Sequence, residues 1–192
     1  MTILRLSRGP VLIFIMLALL TGLVYPLVMT AFAQVALPAQ ANGSLVTVDG
    51  NVVGSILIGQ SFSDPKYFWG RPSAAGKDGY DANSSGGSNL APTNQALIQQ
   101  VTDTLAALEA ANHTTSIPVD LVTTSGSGLD PQISPAAADV QVARVAQARG
   151  IGEDVVRAAV ARHTEGSMLG FIGEPRVNVL ALNLSLDGIN VP

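Results

Sequence analysis

The chain has no cysteine. Disulfide staples, thiolate zinc sites and cysteine nucleophiles are therefore excluded. The absence is compatible with an oxidising compartment but does not identify one. Charge is also scarce: Asp, Glu, Lys and Arg supply 12% of the residues, about half the ~25% of an average globular protein. Gly, Ser, Asn, Thr and Pro fill the difference, which favours a loop-rich domain over a charged helical bundle. The few basic residues are dispersed. Arg5 and Arg8 precede an apolar run, and beyond it eight basic residues stand against fourteen acidic ones, 8 − 14 = −6. Nucleic acid rewards Lys and Arg clustered on one face, so nucleic-acid binding is set aside.

Charge is missing altogether from residues 11–33, VLIFIMLALLTGLVYPLVMTAFA. A helix of that length covers about 34 Å, enough for a hydrocarbon core of ~30 Å. The pattern predicts an N-terminus over 1–10, a transmembrane helix over 11–33, a linker over 34–44 and one domain over 45–192. The stretch beyond the span suits a single domain of ~100–150 residues. Pro26 is expected to kink the helix, which a span tolerates when neighbouring helices satisfy the freed carbonyl. Gly22 offers a site for close approach of a partner helix. The competing reading is a cleaved signal peptide ending at Ala31-Phe32-Ala33. The run exceeds the ~7–15 residues of a signal core, so the retained span is adopted. Either way, arginines before the run and none soon after it place the N-terminus inside and the domain outside.

The domain reads as α+β, without internal repeats. A hairpin is expected over 45–57 around Asp49-Gly50. Residues 59–93 form a long Gly-, Ser-, Asn- and Pro-rich loop, and Tyr67, Phe68 and Trp69 argue against its being disordered. Leu97, Val101, Leu105 and Leu108 make one stripe of a helix over 94–112, capped by Thr93. A strand is expected over 117–124. A helix from the Ser134 cap to Arg149 closes at Gly150. Residues 152–163 form another, with Glu153 and Asp154 in its first turn. Alternating leucines predict a final strand over 177–186.

Few residues carry a chemical signature. Gly70, Gly76 and Lys77 hint at a phosphate loop, but the spacing is one residue too long and Asp78 replaces the magnesium-binding hydroxyl. Ser85-Gly86-Gly87-Ser88-Asn89 and Ser125-Gly126-Ser127-Gly128 read as turns rather than anion-binding nests. His113 and His163 each follow a predicted helix and read as surface residues favoured by its dipole. Tyr67, Phe68 and Trp69 divide between core packing and partner contact. Such an anchored domain reads as an accessory subunit better than as an enzyme.

Four blocks carry a resemblance: GSILIGQSFSDPKYFWGRPSA, YDANSSGGSNLAPTN, PVDLVTTSGSGLDPQISPAAADVQVARVAQARG and GEPRVNVLALNLSL. With Tyr25-Pro26 in the span, they resemble the C subunit of the bacterial potassium-transporting Kdp ATPase over nearly the whole chain. The resemblance implies a complex with a channel-like potassium-selecting subunit, a P-type subunit that hydrolyses ATP with Mg²⁺, and a very small accessory subunit. It implies one span in the inner membrane, an extracytoplasmic domain and a role in assembly. A proposal attached to the family makes the subunit a catalytic chaperone that raises ATP affinity, with nucleotide on Ser85, Gly86, Gly87, Ser88 and Asn89. Arginine asymmetry puts that loop on the face opposite to ATP, so the domain is expected over the outer mouth of the channel-like subunit. Gly22, Tyr25, Pro26, Tyr67, Phe68, Trp69, Gly128, Asp130 and Pro131 are the further candidates for assembly. The rival readings are an anchored serine hydrolase and an extracytoplasmic module binding a small anion on the Gly-Ser loops.

Overall fold

The computed structural model describes residues 8–189. Arg5 and residues 190–192 of the expected domain lie outside them. The chain falls into two compact units divided between Leu45 and Val46.

The first unit is built on helices α1 (Arg8–Leu19) and α2 (Tyr25–Ala36), joined by a π-helical segment, Leu20–Val24. Together they form 29 residues, and among the described residues this is the one helix long and apolar enough to cross a membrane. Roughly 43 Å long, it overruns the expected 11–33 at both ends. Its large apolar side chains are exposed, Phe14, Met16 and Leu27 among them. The irregularity at Pro26 takes the form of a wider turn. Pro26 lacks an N–H and its ring crowds the carbonyl four residues back; the preceding turn opens, and Tyr25 donates to Leu20 O, five residues back. The expected linker includes one helical turn, α3 (Pro38–Ala41), started by Pro38.

The second unit begins with the hairpin of β1 (Leu45–Val48) and β2 (Asn51–Ser55). Asp49 and Gly50 both take positive φ, +50° and +80°, as a type I′ turn requires. The hairpin stops short of Leu57 because the Ser55 hydroxyl takes the Leu57 N–H at 3.1 Å. Residues 56–94 hold no helix or strand, as the loop-rich composition predicts. Helix α4 (Gln95–Asn112) is capped by Asn94, whose side chain accepts the Ala96 N–H at 2.9 Å, and not by Thr93.

Three expectations give way. The strand expected over 117–124 is a single 3₁₀ turn, Val119–Leu121, entered through extended Pro118. The helix expected over 134–149 is two, α5 (Pro135–Asp139), which Ser134 caps, and α6 (Val142–Arg149), which Gly150 ends at φ +67°. Gln141 breaks the run, its own amide taking the Ala137 carbonyl at 3.0 Å. The final strand shrinks to β5 (Arg176–Asn178), after which Asn178 caps helix α8 (Val179–Leu186) by accepting the Ala181 N–H. Val179, Leu182, Asn183 and Leu186 fall at i, i+3, i+4 and i+7, a helical face masked by the alternating leucines. Helix α7 (Glu153–Arg162) appears where expected.

Short strands β3 (Gln132–Ile133) and β4 (Thr164–Glu165) flank β5, both antiparallel. Helices α5 to α8 pack with this sheet around Ile133, Ala137, Val142, Val145, Val156 and Val177. Between β4 and β5 the chain turns at Leu169 and Gly170, φ +55° and +81°, leaving Met168, Leu169 and Phe171 exposed.

Side-chain amides bind the long loop to this core. Phe68 is fully buried. Its N–H donates to Asn183 Oδ1 at 2.8 Å and its carbonyl accepts from Asn183 Nδ2 at 3.0 Å. Gln141 holds Trp69 likewise, at 2.8 and 3.2 Å. Arg144 donates to the carbonyls of Pro65 and Tyr67, at 2.6 and 2.9 Å, and stacks 3.9 Å from the Trp69 ring. These amides do for the loop what a neighbouring strand does in a sheet. Replacing Asn183 with leucine leaves two buried backbone groups unpaired and is expected to destabilise the domain by about 2–4 kcal/mol. The fluorescence of Trp69, the sole tryptophan, reports the lowered melting temperature; an unchanged midpoint would contradict the role given to this amide.

Candidate functional site

The two Gly-Ser segments, far apart in sequence, lie against each other in the domain. Gly86 donates to Ser127 O at 2.8 Å, and the Ser85 hydroxyl donates to the same carbonyl at 3.0 Å. The contact is backbone on backbone. A Cβ on Gly128, at φ +68°, would stand 2.6 Å from Gly86 O and 2.8 Å from Ala75 N. Gly87 is nearly as tight, with the carbonyls of Ser125 and Gly126 each 3.3 Å from its Cβ position.

Ser73, Arg71 and Tyr80, none of them candidates from the sequence, pin this junction. The Ser73 hydroxyl donates to Gly128 O at 2.5 Å and accepts the N–H groups of Ala75 and Tyr80. Arg71 pairs with Asp130 at 3.1 Å and reaches the carbonyls of Thr123 and Thr124, both at 3.4 Å. The Tyr80 hydroxyl donates to Arg71 O at 2.6 Å. Burial, reinforced by the negative charge of Asp130 and opposed by Arg71, pushes its pKa up to about 12. Asp130 also accepts the Gln132 N–H. Leu129 O takes Gly59 N–H at 2.8 Å and Pro131 O takes Val179 N–H at 2.9 Å, which joins the junction to the hairpin exit and to α8. An open cleft of about 650 Å³ borders it, lined by Leu57, Ile58, Arg71, Ser125, Asp130 and Pro131 among others.

Several of the donors an anion would need are already engaged. Gly128 N–H goes to the Ser125 hydroxyl at 2.9 Å and Leu129 N–H to the Ser127 hydroxyl at 3.1 Å. Ser88 is half-buried, and Asn89 is exposed at φ +51°. The structure thus brings Ser85, Gly86 and Gly87 together with Gly128, Asp130 and Pro131. Tyr67, Phe68 and Trp69 belong to the core clamp: Phe68 is inside, Tyr67 bonds Asp187 at 3.0 Å, and Trp69 lies under Arg144. Gly22, Tyr25 and Pro26 sit at the irregular turn of the long helix. His113 and His163 occupy helix C-caps. Burial and the nearby Arg162 lower the His163 pKa, which disfavours its cationic form at the helix end. Among the described residues no group of three or more His, Asp or Glu is placed to hold a metal ion.

Adding one methyl at either of two glycines tests the junction. Gly128→Ala meets backbone atoms under 3 Å away at a positive φ and is expected to lose about 2 kcal/mol or more of stability. Gly86→Ala meets nothing within 4 Å and stays within about 0.5 kcal/mol. Equal denaturation midpoints for the two variants would refute the packing described. Tyr80→Phe is expected to remove a phenolate that appears near pH 12 in an alkaline absorbance titration. Because the folded pKa lies above the free value of 10.0, Tyr80 contributes stability that is complete below pH 10 and lost as pH rises towards 12. The variant is therefore expected to lose less stability over that interval.

A family model described as "K+-transporting ATPase, c chain" matches residues 8–188. A Potassium-transporting ATPase KdpC subunit of Sorangium cellulosum (strain So ce56) is 58% identical over 183 residues, 94% of this chain and 96% of that relative. Proteins of the same name from Burkholderia mallei (strain SAVP1) and Burkholderia pseudomallei (strain K96243) are each 59% identical over 184 residues, 95% of both chains. With the long helix, the α+β domain and the Gly-Ser junction all inside the matched range, the chain belongs to the KdpC family, the c subunits of potassium-transporting ATPases.

Proposed function

We propose that the chain is a non-catalytic accessory subunit of an ATP-driven, high-affinity potassium-uptake complex in the inner membrane. In this reading its N-terminus is cytoplasmic, its long helix spans the bilayer and its domain is extracytoplasmic. The observation that carries the proposal is continuity: the family correspondence runs from residue 8 to 188, so apolar helix and domain are one functional piece. Its partners are the channel-like potassium-selecting subunit, the P-type ATPase subunit and the very small accessory subunit. ATP and Mg²⁺ stay with the ATPase subunit, and potassium is cargo.

Orientation rests on charge. Arg8 is the first residue of the helix, and the next Lys or Arg is Lys66, a positive-inside pattern. A catalytic-chaperone effect on ATP affinity then travels through subunit contacts, not through nucleotide on Ser85, Gly86, Gly87, Ser88 and Asn89. The internally engaged donors of Gly86, Gly128 and Leu129 support this, and they weigh equally against the small-anion module. The junction, with Asp130 and Pro131, sets the shape of a face presented over the outer mouth of the channel-like subunit. Tyr67 and Trp69 add partly exposed edges, and Phe68 contributes from inside by fixing them. The domain's acidic excess raises potassium locally, a modest effect because salt screens beyond ~8 Å.

Ser84 is exposed, and the chain has no cysteine, so Ser84→Cys gives a unique label. A membrane-impermeant maleimide is expected to react with it in intact cells and not in sealed inverted vesicles. Labelling confined to inverted vesicles would place the domain beside ATP and overturn the mechanism.

A further inference from the structure

We infer that Asn83 is an acceptor for N-linked glycosylation, by an oligosaccharyltransferase that reads an acidic residue two places ahead of the asparagine. The inference rests on the extracytoplasmic placement proposed above, because such transfer takes place on that side of a membrane. The acceptor pattern is Asn-x-Ser/Thr with x other than proline. It occurs at Asn42-Gly43-Ser44, Asn83-Ser84-Ser85, Asn112-His113-Thr114 and Asn183-Leu184-Ser185. Asn83 has Asp81 two places ahead, whereas Gln40, Ala110 and Ala181 hold that place for the others.

Folding removes the other three. Asn183 is 1% exposed, and both ends of its amide hold Phe68. Asn112 is 6% exposed; its Nδ2 donates to Leu108 O at 2.9 Å and its Oδ1 accepts from Arg144. Asn42 is exposed, but its Nδ2 donates to Pro38 O at 2.7 Å and to Gln34 Oε1 at 3.2 Å. In each, the nitrogen that a sugar would have to reach is engaged. Asn83 is exposed, and its carboxamide makes no hydrogen bond among the described residues.

The backbone presents Asn83 on a turn. Ser84 N–H donates to Asp81 O at 2.9 Å, which puts Ala82 and Asn83 at the crest. Asp81 Oδ1 accepts the Asn83 N–H at 2.9 Å, an Asx-turn that steadies it. The turn is footed on both sides, by Asp81 N–H on Ala75 O at 3.1 Å and by the Ser85 hydroxyl on Ser127 O at 3.0 Å. Ser85 donates there, and its oxygen keeps lone pairs to accept from a transferase.

The donor is an oligosaccharide on polyprenyl pyrophosphate. Asn83 Nδ2 attacks the anomeric carbon of its first sugar. The N–C bond forms as the bond from that carbon to the phosphate oxygen breaks. Polyprenyl pyrophosphate leaves, and one Nδ2 proton passes to a base of the transferase.

The test mixes the full chain, in detergent, with a bacterial oligosaccharyltransferase and polyprenyl-pyrophosphate oligosaccharide. Intact mass and peptide fragmentation then locate the product. One glycan is expected, on Asn83. Asn83→Gln removes it, and Asp81→Asn lowers the yield about tenfold or more, the loss of one charge-assisted contact. Both leave melting, followed by Trp69, unchanged. Ala110→Asp gives Asn112 an acid in the same register, yet the folded chain is expected to gain no second glycan. A bare chain, a glycan on another asparagine, a second glycan in Ala110→Asp, or a yield indifferent to Asp81→Asn would overturn the site. The same transferase is then produced in cells that assemble the complex, where glycosylated chain is again expected. A bare chain in cells whose Ser84→Cys form is labelled from outside would defeat the inference alone. A bare chain whose Ser84→Cys form is not labelled would defeat the orientation beneath it.

Discussion

A buried guanidinium with no carboxylate partner among the described residues organises the domain. Arg144 is 7% exposed, and burial lowers its pKa to about 10, still leaving it charged at neutral pH. Its charge is met by dipoles: Asn112 Oδ1 at 2.9 Å, Gln141 Oε1 at 2.6 Å, two loop carbonyls and the Trp69 ring. Charge-assisted bonds of this sort are stronger than neutral ones, and the planar fork serves several acceptors at once. A long irregular segment needs such a hub, because it has no ladder of its own in which to pair its backbone groups. Arg149 repeats the device one helical turn on, reaching the carbonyls of Lys66 and Leu186 and pairing with Asp187 at 2.8 Å.

With the loop anchored at one end by these arginines, the Gly-Ser junction fixes its other end. The glycines serve proximity between chains of backbone, and the serine hydroxyls and main-chain donors close upon each other. What the region presents outward is a shape.

Much of this was legible in the residues. Uncharged 11–33, the Asp49-Gly50 turn, the Ser134 cap and the Gly150 stop are local signals, and the local structure follows them. The failures are tertiary. Leucines at 180, 182, 184 and 186 alternate like a strand, yet Asn178 caps a helix there because Val179, Leu182 and Asn183 must face the core together. The segment 117–124 joins neither sheet among the described residues, and only Leu121 of its 3₁₀ turn is buried. Arg71, Ser73 and Tyr80 were invisible as a group because their acceptors lie up to 59 residues away in sequence. One signal was available: Gln141, Arg144 and Asn183 are polar residues on otherwise apolar helix faces, the pattern of side chains that bind backbone from inside. The exposed apolar turn around Leu169 had no periodicity to betray it.

The amide grip on Phe68 has a bearing on biosynthesis. The residue that closes it, Asn183, is made 115 positions after the backbone it holds. Translation proceeds from the N-terminus, so the apolar helix has been made long before residues 56–94 can settle. Until the final helix leaves the ribosome, that stretch remains an open, Gly-rich ribbon. A ribosome stalling shortly before codon 183 would therefore leave a nascent chain whose domain is unfinished.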